Sequence, residues 1–112
     1  MKKNEIWLAD LPASENSHVQ HGYRPVLIVS NDIANRYSSV ITVVPLTSRA
    51  KKPLSTHVYL CDHGLNNPST ALCEQIMTID KSRCNRCIGF VQNVFERELL
   101  NHAVRVQLGM AA

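Results

Sequence analysis

GYRPVLIVS (22–30) is the stretch whose reading decides the fold. Val26-Leu27-Ile28-Val29 has no polar residue to alternate with, and its β-branched members favour extended backbone, so it reads as a strand covered on both faces. Pro25 is tolerable only at the start of such a strand, because it has no N–H to give to a ladder. Downstream, Asn31–Tyr37 reads as a short helical turn capped by Asn31 or Asp32. Val40–Leu46 (VITVVPL) is the next β-rich run, with Pro45 marking a bulge or an edge position. Thr47–Leu54 is a basic loop, His57–Cys61 alternates, and Ala71–Ile79 and Ile88–Val91 bring the strands to about six. Upstream, Glu5–Leu11 alternates, with Ile6 and Leu8 on one face and Trp7 and Ala9 on the other. Between it and Arg24, residues 12–23 are polar, with Pro and Gly, and a loop that long is usually functional or disordered.

Only the end of the chain is clearly helical. Asn93 is placed to cap, with Glu96 three residues later in the manner of a capping box. Phe95, Leu99, Ala103 and Val106 recur at helical spacing, Leu100, Val104 and Leu108 form a second apolar row, and Gly109 stops the run. That apolar face is wider than a lone surface helix needs. The expected architecture is a mostly antiparallel, strongly curved sheet with one C-terminal helix packed on it, an α+β or small-barrel domain spanning 1–112.

With 112 residues, 45% of them apolar and 19% charged, the chain has the composition of one ordinary globular domain. A core this small gains from being shared with a second subunit. The net charge of +3 does not diagnose nucleic-acid binding, but eight of the twelve basic side chains fall between Arg24 and Arg86 against four acids, so mid-chain residues can line a positive groove. Glu5, Asp10 and Pro12 interrupt any signal-like apolar run after Lys2 and Lys3, and no stretch is long enough to cross a bilayer; the expectation is a cytoplasmic protein with no membrane partner.

Cys61, Cys73, Cys84 and Cys87 include one CxxC, Cys84-Asn85-Arg86-Cys87. Strong zinc signals pair two such knuckles, and a redox CxxC opens a helix, whereas this one runs into the strand-like Ile88-Gly89-Phe90-Val91. Plain buried or half-buried thiols are the expectation, with zinc or redox work as the lesser readings.

Four ordered motifs, GYRPVLIVSNDIANR (22–36), VITVVPLTSRAKKPLSTHV (40–58), ALCEQIMTIDKSR (71–83) and the amphipathic tail, resemble the MazF/PemK toxins in order and spacing. The resemblance runs from IWLADL (6–11) to the final helix. It implies an SH3-like barrel, a homodimer, sequence-specific endoribonuclease activity on single-stranded RNA with no metal or cofactor, and a cognate acidic antitoxin whose extended segment covers the active site. Operator DNA is then met only through the antitoxin complex.

Cleaving RNA without a metal uses the substrate's own 2′-hydroxyl as nucleophile, so the protein must stabilise charge on the phosphorane and move protons. Arg24 fits the first task, since its guanidinium forks onto two phosphate oxygens and Pro25 stiffens its backbone. Thr47, in PLTS (45–48), offers a hydroxyl to a phosphate or leaving oxygen, although a Thr after a strand more often caps a turn. The resemblance places an Arg and a Thr at these positions in the active site. Many relatives also carry an acid shortly before the RP motif; here the stretch is His18-Val19-Gln20-His21, which leaves His21 as the candidate base and Gln20 able only to orient groups by hydrogen bonds.

For RNA binding, Ser48, Arg49, Lys51 and Lys52 suit backbone phosphates, and Glu74 and Gln75 offer polar edges where the family contacts bases. Asn35, Arg36, Thr56 and His57 follow by the same analogy, and Tyr23 is the best stacking candidate. The competing reading is a non-catalytic small-barrel module that binds RNA or poisons a protein target such as a topoisomerase, which has no need of Arg24 and Thr47 beside a basic loop.

Overall fold

The computed structural model describes residues 1–13, 15–49 and 52–112. Among these residues seven strands form one antiparallel sheet: β1 (Glu5–Leu11), β2 (Gly22–Ile28), β3 (Val40–Thr47), β4 (His57–Leu60), β5 (Ser69–Leu72), β6 (Met77–Asp80) and β7 (Cys84–Phe90). Two helices complete it, α1 (Asp32–Tyr37) and α2 (Val94–Gln107). The order along the sheet is β4-β5-β3-β2-β1-β7, with β6 also on β3. β4 and β7 end the path without pairing to one another, so the sheet is curved but does not close into a barrel.

The central run of β2 is covered on both faces, as its composition requires. Val26 and Ile28 enter one core with Ala9, Leu11, Ile41, Val43 and Ile79, whereas Leu27 enters the other with Ile6, Val44, Leu46, Leu60, Leu100 and Ala103. The second of these cores lies between the sheet and α2. Both faces are filled because a small strongly bent sheet wraps partly around itself on one side and is roofed by the helix on the other.

β3 organises the sheet. One edge pairs with β2, from Val26↔Pro45 to Ile28↔Val43; the other pairs with β6 over Val40–Val43 and with β5 at Leu46 and Thr47. Pro45 sits in the handover between β6 and β5, where a residue without an N–H costs no ladder bond. Extending Leu46↔Ala71 back along β3 would set Val43 against Glu74, yet Val43 pairs with Met77, three residues later. Those three residues are a 3₁₀ turn, Cys73–Gln75. The continuous strand expected over Ala71–Ile79 is therefore two strands with a register jump between them, and Glu74 and Gln75 are displaced from the sheet.

At the ends the chain follows local chemistry. The Asn31 side chain accepts from the Ala34 N–H at 2.8 Å and caps α1, and Asn93 accepts from the Glu96 N–H at 3.0 Å and caps α2. The second half of the expected capping box is not formed: the Glu96 carboxylate is taken by His63 Nε2 at 3.0 Å. On α2, Leu100 and Ala103 are buried, while Phe95 is 71% and Leu99 43% exposed, so the apolar face is only partly used within the chain. β7 starts at Cys84, four residues before the expected strand.

Candidate active site

An open cleft of about 910 Å³ lies where the N-terminal end of β2 and the C-terminal end of β3 meet β7. Its floor is the rim of the sheet–helix core, since Leu46, Leu65 and Ile88 belong to both. Arg24, Thr47, His21, Gln20, Ser48 and Arg49 all line it. The β2–β3 register explains how Arg24 and Thr47 meet: continuing two residues beyond Val26↔Pro45 sets Arg24 opposite Thr47.

Arg24 is half-buried and held from its own loop. Its Nε donates to the main-chain oxygen of His21 at 2.9 Å and its Nη1 donates to the side-chain oxygen of Gln20. Burial first, and the nearby charge of Arg49 second, lower the Arg24 pKa from its usual value, and a guanidinium so placed still stays charged at neutral pH. Among the described residues neither Arg24 nor Arg49 has a carboxylate partner. Positive charge is therefore concentrated, partly desolvated and uncompensated, which suits a phosphate. Thr47 is 5% exposed; its Oγ1 accepts from the Arg49 N–H at 3.2 Å, which leaves its own O–H free to donate into the cleft.

The His21 ring is exposed on the cleft wall, its Nδ1 3.4 Å from the Val19 carbonyl. No hydrogen-bond partner is given to its Nε2 among the described residues.

The opposite wall comes from β7 and from the loop Cys61–Pro68, with Arg86, Cys87, Asn66 and Asn67 facing the cleft. That loop folds down onto β7 through two glycines. A Cβ on Gly64 would lie 1.8 Å from the Ile88 oxygen, and one on Gly89 1.5 Å from the His63 oxygen. Gly64 also has φ +91°, a conformation side chains rarely adopt.

Across residues 2–106 the chain matches the family described as PemK-like, MazF-like toxin of type II toxin–antitoxin system. The chain belongs to that family. A curated relative, Endoribonuclease MazF of Staphylococcus saprophyticus subsp. saprophyticus, is 34% identical over 113 aligned positions, covering 98% of this chain and 92% of the relative. The solved Mycobacterium tuberculosis toxin MazF-mt6 superposes with a TM-score of 0.80 at 26% identity, over 96% of this chain and 99% of that one. A mycobacterial endoribonuclease solved in complex with its cognate antitoxin shares the fold at a TM-score of 0.83 and 23% identity, over 100% of this chain and 98% of that one.

Several residues singled out in the sequence of this MazF-family toxin lie elsewhere. Asn35 is 2% exposed; its amide donates to the Ser30 carbonyl at 2.8 Å and its oxygen accepts from the Ser30 hydroxyl, which leaves no edge for a base. Arg36 lies over Tyr37 at 5.6 Å, beside Lys2 and Lys81 and away from the cleft. Glu74 is bound on both oxygens, by the Thr56 hydroxyl at 3.1 Å and by His57 Nε2 at 2.8 Å, so these three hold one another outside the cleft lining. Gln75 does not line it either; its Oε1 accepts from the Gln20 main-chain N–H at 2.7 Å. Tyr23 and Lys52 are exposed and outside the lining, and Lys51 lies outside the described residues.

Arg86, His18, Asn66 and Asn67 line the cleft although the sequence did not single them out. Strand alternation could not have found Arg86, because β7 is irregular against β1 here and Arg86, Cys87 and Ile88 all line the cleft. The two asparagines carry no local signal, because only the Gly64–Gly89 contact brings their loop over β7. The CxxC is taken apart by the same strand: Cys84 packs in the core away from the helix, Cys87 lines the cleft, and all four cysteines are free. Among the described residues no three of His, Cys, Asp and Glu are grouped to hold a metal ion.

Proposed function

We propose that the chain is an endoribonuclease toxin that cuts single-stranded RNA, sequence-specifically and without a metal, in the Arg24–Thr47 cleft. The observation that carries this reading is the charge there: Arg24 and Arg49 without carboxylate partners among the described residues, beside a buried hydroxyl that is free to donate. Such a cleft attracts a phosphate, and relatives named endoribonucleases support RNA as the polymer that carries it.

Arg24 clamps the non-bridging oxygens of the scissile phosphate while the Thr47 hydroxyl donates to the same group. The substrate's 2′-hydroxyl attacks the adjacent phosphorus and its proton passes to Nε2 of His21. The new 2′-O–P bond forms as the P–O5′ bond breaks; the 5′ oxygen takes a proton from water in the open cleft, and the His21 imidazolium returns its proton to the hydroxide so formed. The products are a 2′,3′-cyclic phosphate and a 5′-hydroxyl. Ser48, Arg49 and Arg86 hold flanking phosphates, and Asn66 and Asn67 present amide edges to unstacked bases on the opposite wall.

The same positive cleft is where an acidic segment of the antitoxin competes with RNA, and operator DNA is met only through that complex. Dimerisation fits Val94, Phe95 and Leu99, which lie exposed along α2. No helix among the described residues is long and apolar enough to cross a membrane, and the cytoplasm, where mRNA is found, is the proposed site of action.

The test is a single-stranded RNA incubated with the purified protein in EDTA, alongside a copy carrying 2′-deoxyribose at the cleaved nucleotide. Cleavage of the first, with cyclic-phosphate ends, and survival of the second are expected. Loss of cleavage on chelation, or cutting of the deoxy copy, would overturn the mechanism.

A further inference from the structure

Residues 15–21 run beside the cleft with few attachments among the described residues. Among the described residues, no main-chain to main-chain hydrogen bond joins this stretch to the rest of the protein. Its ties are Arg24, which donates to Gln20 and His21, and Gln75, whose side-chain oxygen accepts the Gln20 N–H across 55 residues of sequence. Arg24 cannot serve as an independent anchor, because the loop is what aims it. Among the described residues, that leaves Gln75 as the hydrogen-bonding support from outside the loop.

Gln75 is itself well founded. The 3₁₀ turn that carries it is closed by Ile76 N–H donating to the Cys73 oxygen at 3.3 Å and is tied to the neighbouring loop by Cys73 N–H donating to the Thr56 oxygen at 3.0 Å. Glu74 beside it is clamped by Thr56 and His57, and Cys73 is buried in the core under α2. The three-residue register jump between β5 and β6 is what brings this rigid turn out to the loop.

The geometry points to Gln75 as a positioning residue for the cleavage proposed above: its amide oxygen fixes the Gln20 main chain, and Gln20 and His21 in turn aim the Arg24 guanidinium. It acts without touching the substrate. Displacing a catalytic group by about 1 Å costs on the order of 10²-fold in rate, so the loss of this one bond is felt at the phosphate.

The experiment compares full-length wild type with Gln75→Ala, with Gln75→Met, which keeps the side-chain length but not the acceptor, and with Gln75→Glu, whose carboxylate accepts the same N–H. Two readouts are taken: hydrogen exchange at the Gln20 amide, and kcat, KM and cleavage-site preference on single-stranded RNA. Gln75→Ala and Gln75→Met are expected to speed exchange at Gln20 at least about 10-fold and to lower kcat by about 10- to 100-fold with site preference unchanged. Gln75→Glu is expected to restore both. Unchanged Gln20 exchange, a shifted site preference at normal kcat, or failure of Gln75→Glu to restore them would overturn the assignment; the shifted preference would make Gln75 a base reader. If wild type itself leaves RNA intact, the cleavage reading fails, and the exchange comparison still decides whether Gln75 holds the loop.

Discussion

Arg24 Nε donates to the main-chain oxygen of His21, not to its ring, at 2.9 Å. One residue thus serves the cleft twice and separably: the carbonyl orients the cation, and the imidazole stands free on the wall. The side chain set against the guanidinium is a neutral one, Gln20. A carboxylate there would compensate the charge that a phosphate needs; the amide orients it and leaves it whole.

Because the carbonyl survives substitution, His21→Ala isolates the proton-transfer role. Single-turnover cleavage is expected to slow by about 10²- to 10⁴-fold with KM little changed. An undiminished rate would assign the proton to water.

Thr47→Val keeps the shape of the β3 terminus and removes the hydroxyl. A loss of about 10²- to 10³-fold in kcat is expected, as for the removal of one oxyanion donor, with Thr47→Ser retaining most activity. Steady-state kinetics on a defined RNA reads both.

Arg86 faces the cleft from β7, and the role proposed for it is a contact to an RNA phosphate. Arg86→Ala is expected to weaken binding alike for different sequences and to flatten the dependence of log K on log salt by about 0.7. Anisotropy titrations with an uncleavable 2′-deoxy-substituted RNA across a salt series measure that slope.

Cys73 gives a stability signature unrelated to catalysis. Burial first, and the charge of Glu74 second, push its thiol from the ordinary 9.0 up to about 12. A group whose pKa is raised on folding gives its full contribution below the unfolded value and loses it as pH climbs through the folded one. Stability is therefore expected to fall between about pH 9 and about 12 by up to about 1.4 kcal/mol per unit on this account. Urea melts of wild type and Cys73→Ala over that range check it: the variant lacks this share of the slope.

The strands legible in the sequence were those whose side chains have two cores or one core to fill, β1, β2, β3 and β4, and the helices whose caps are local, α1 and α2. Arg24, Thr47, His21, Gln20, Ser48 and Arg49 were also legible, since each adjoins the ends of β2 and β3. What stayed hidden depends on distant register. The run Ala71–Ile79 is apolar enough for one strand, and nothing local shows that β3 must pair it twice, three residues out of step. That jump leaves Glu74 and Gln75 outside the cleft lining and sends Gln75 to Gln20 instead. Asn35 misled for the opposite reason: its polar side chain is consumed inside the fold by Ser30. The exposed Phe95 row of α2 reflects an apolar face wider than the sheet can cover.

The most direct measurement is the single-turnover rate at which Arg24→Ala cleaves a single-stranded RNA that wild type cuts in EDTA, with the circular dichroism of both proteins matched. Arg24 supplies the proposed clamp on the scissile phosphate, so the rate is expected to fall by at least about 10³-fold while the fold is kept. A folded Arg24→Ala protein cutting at the wild-type rate would contradict the account.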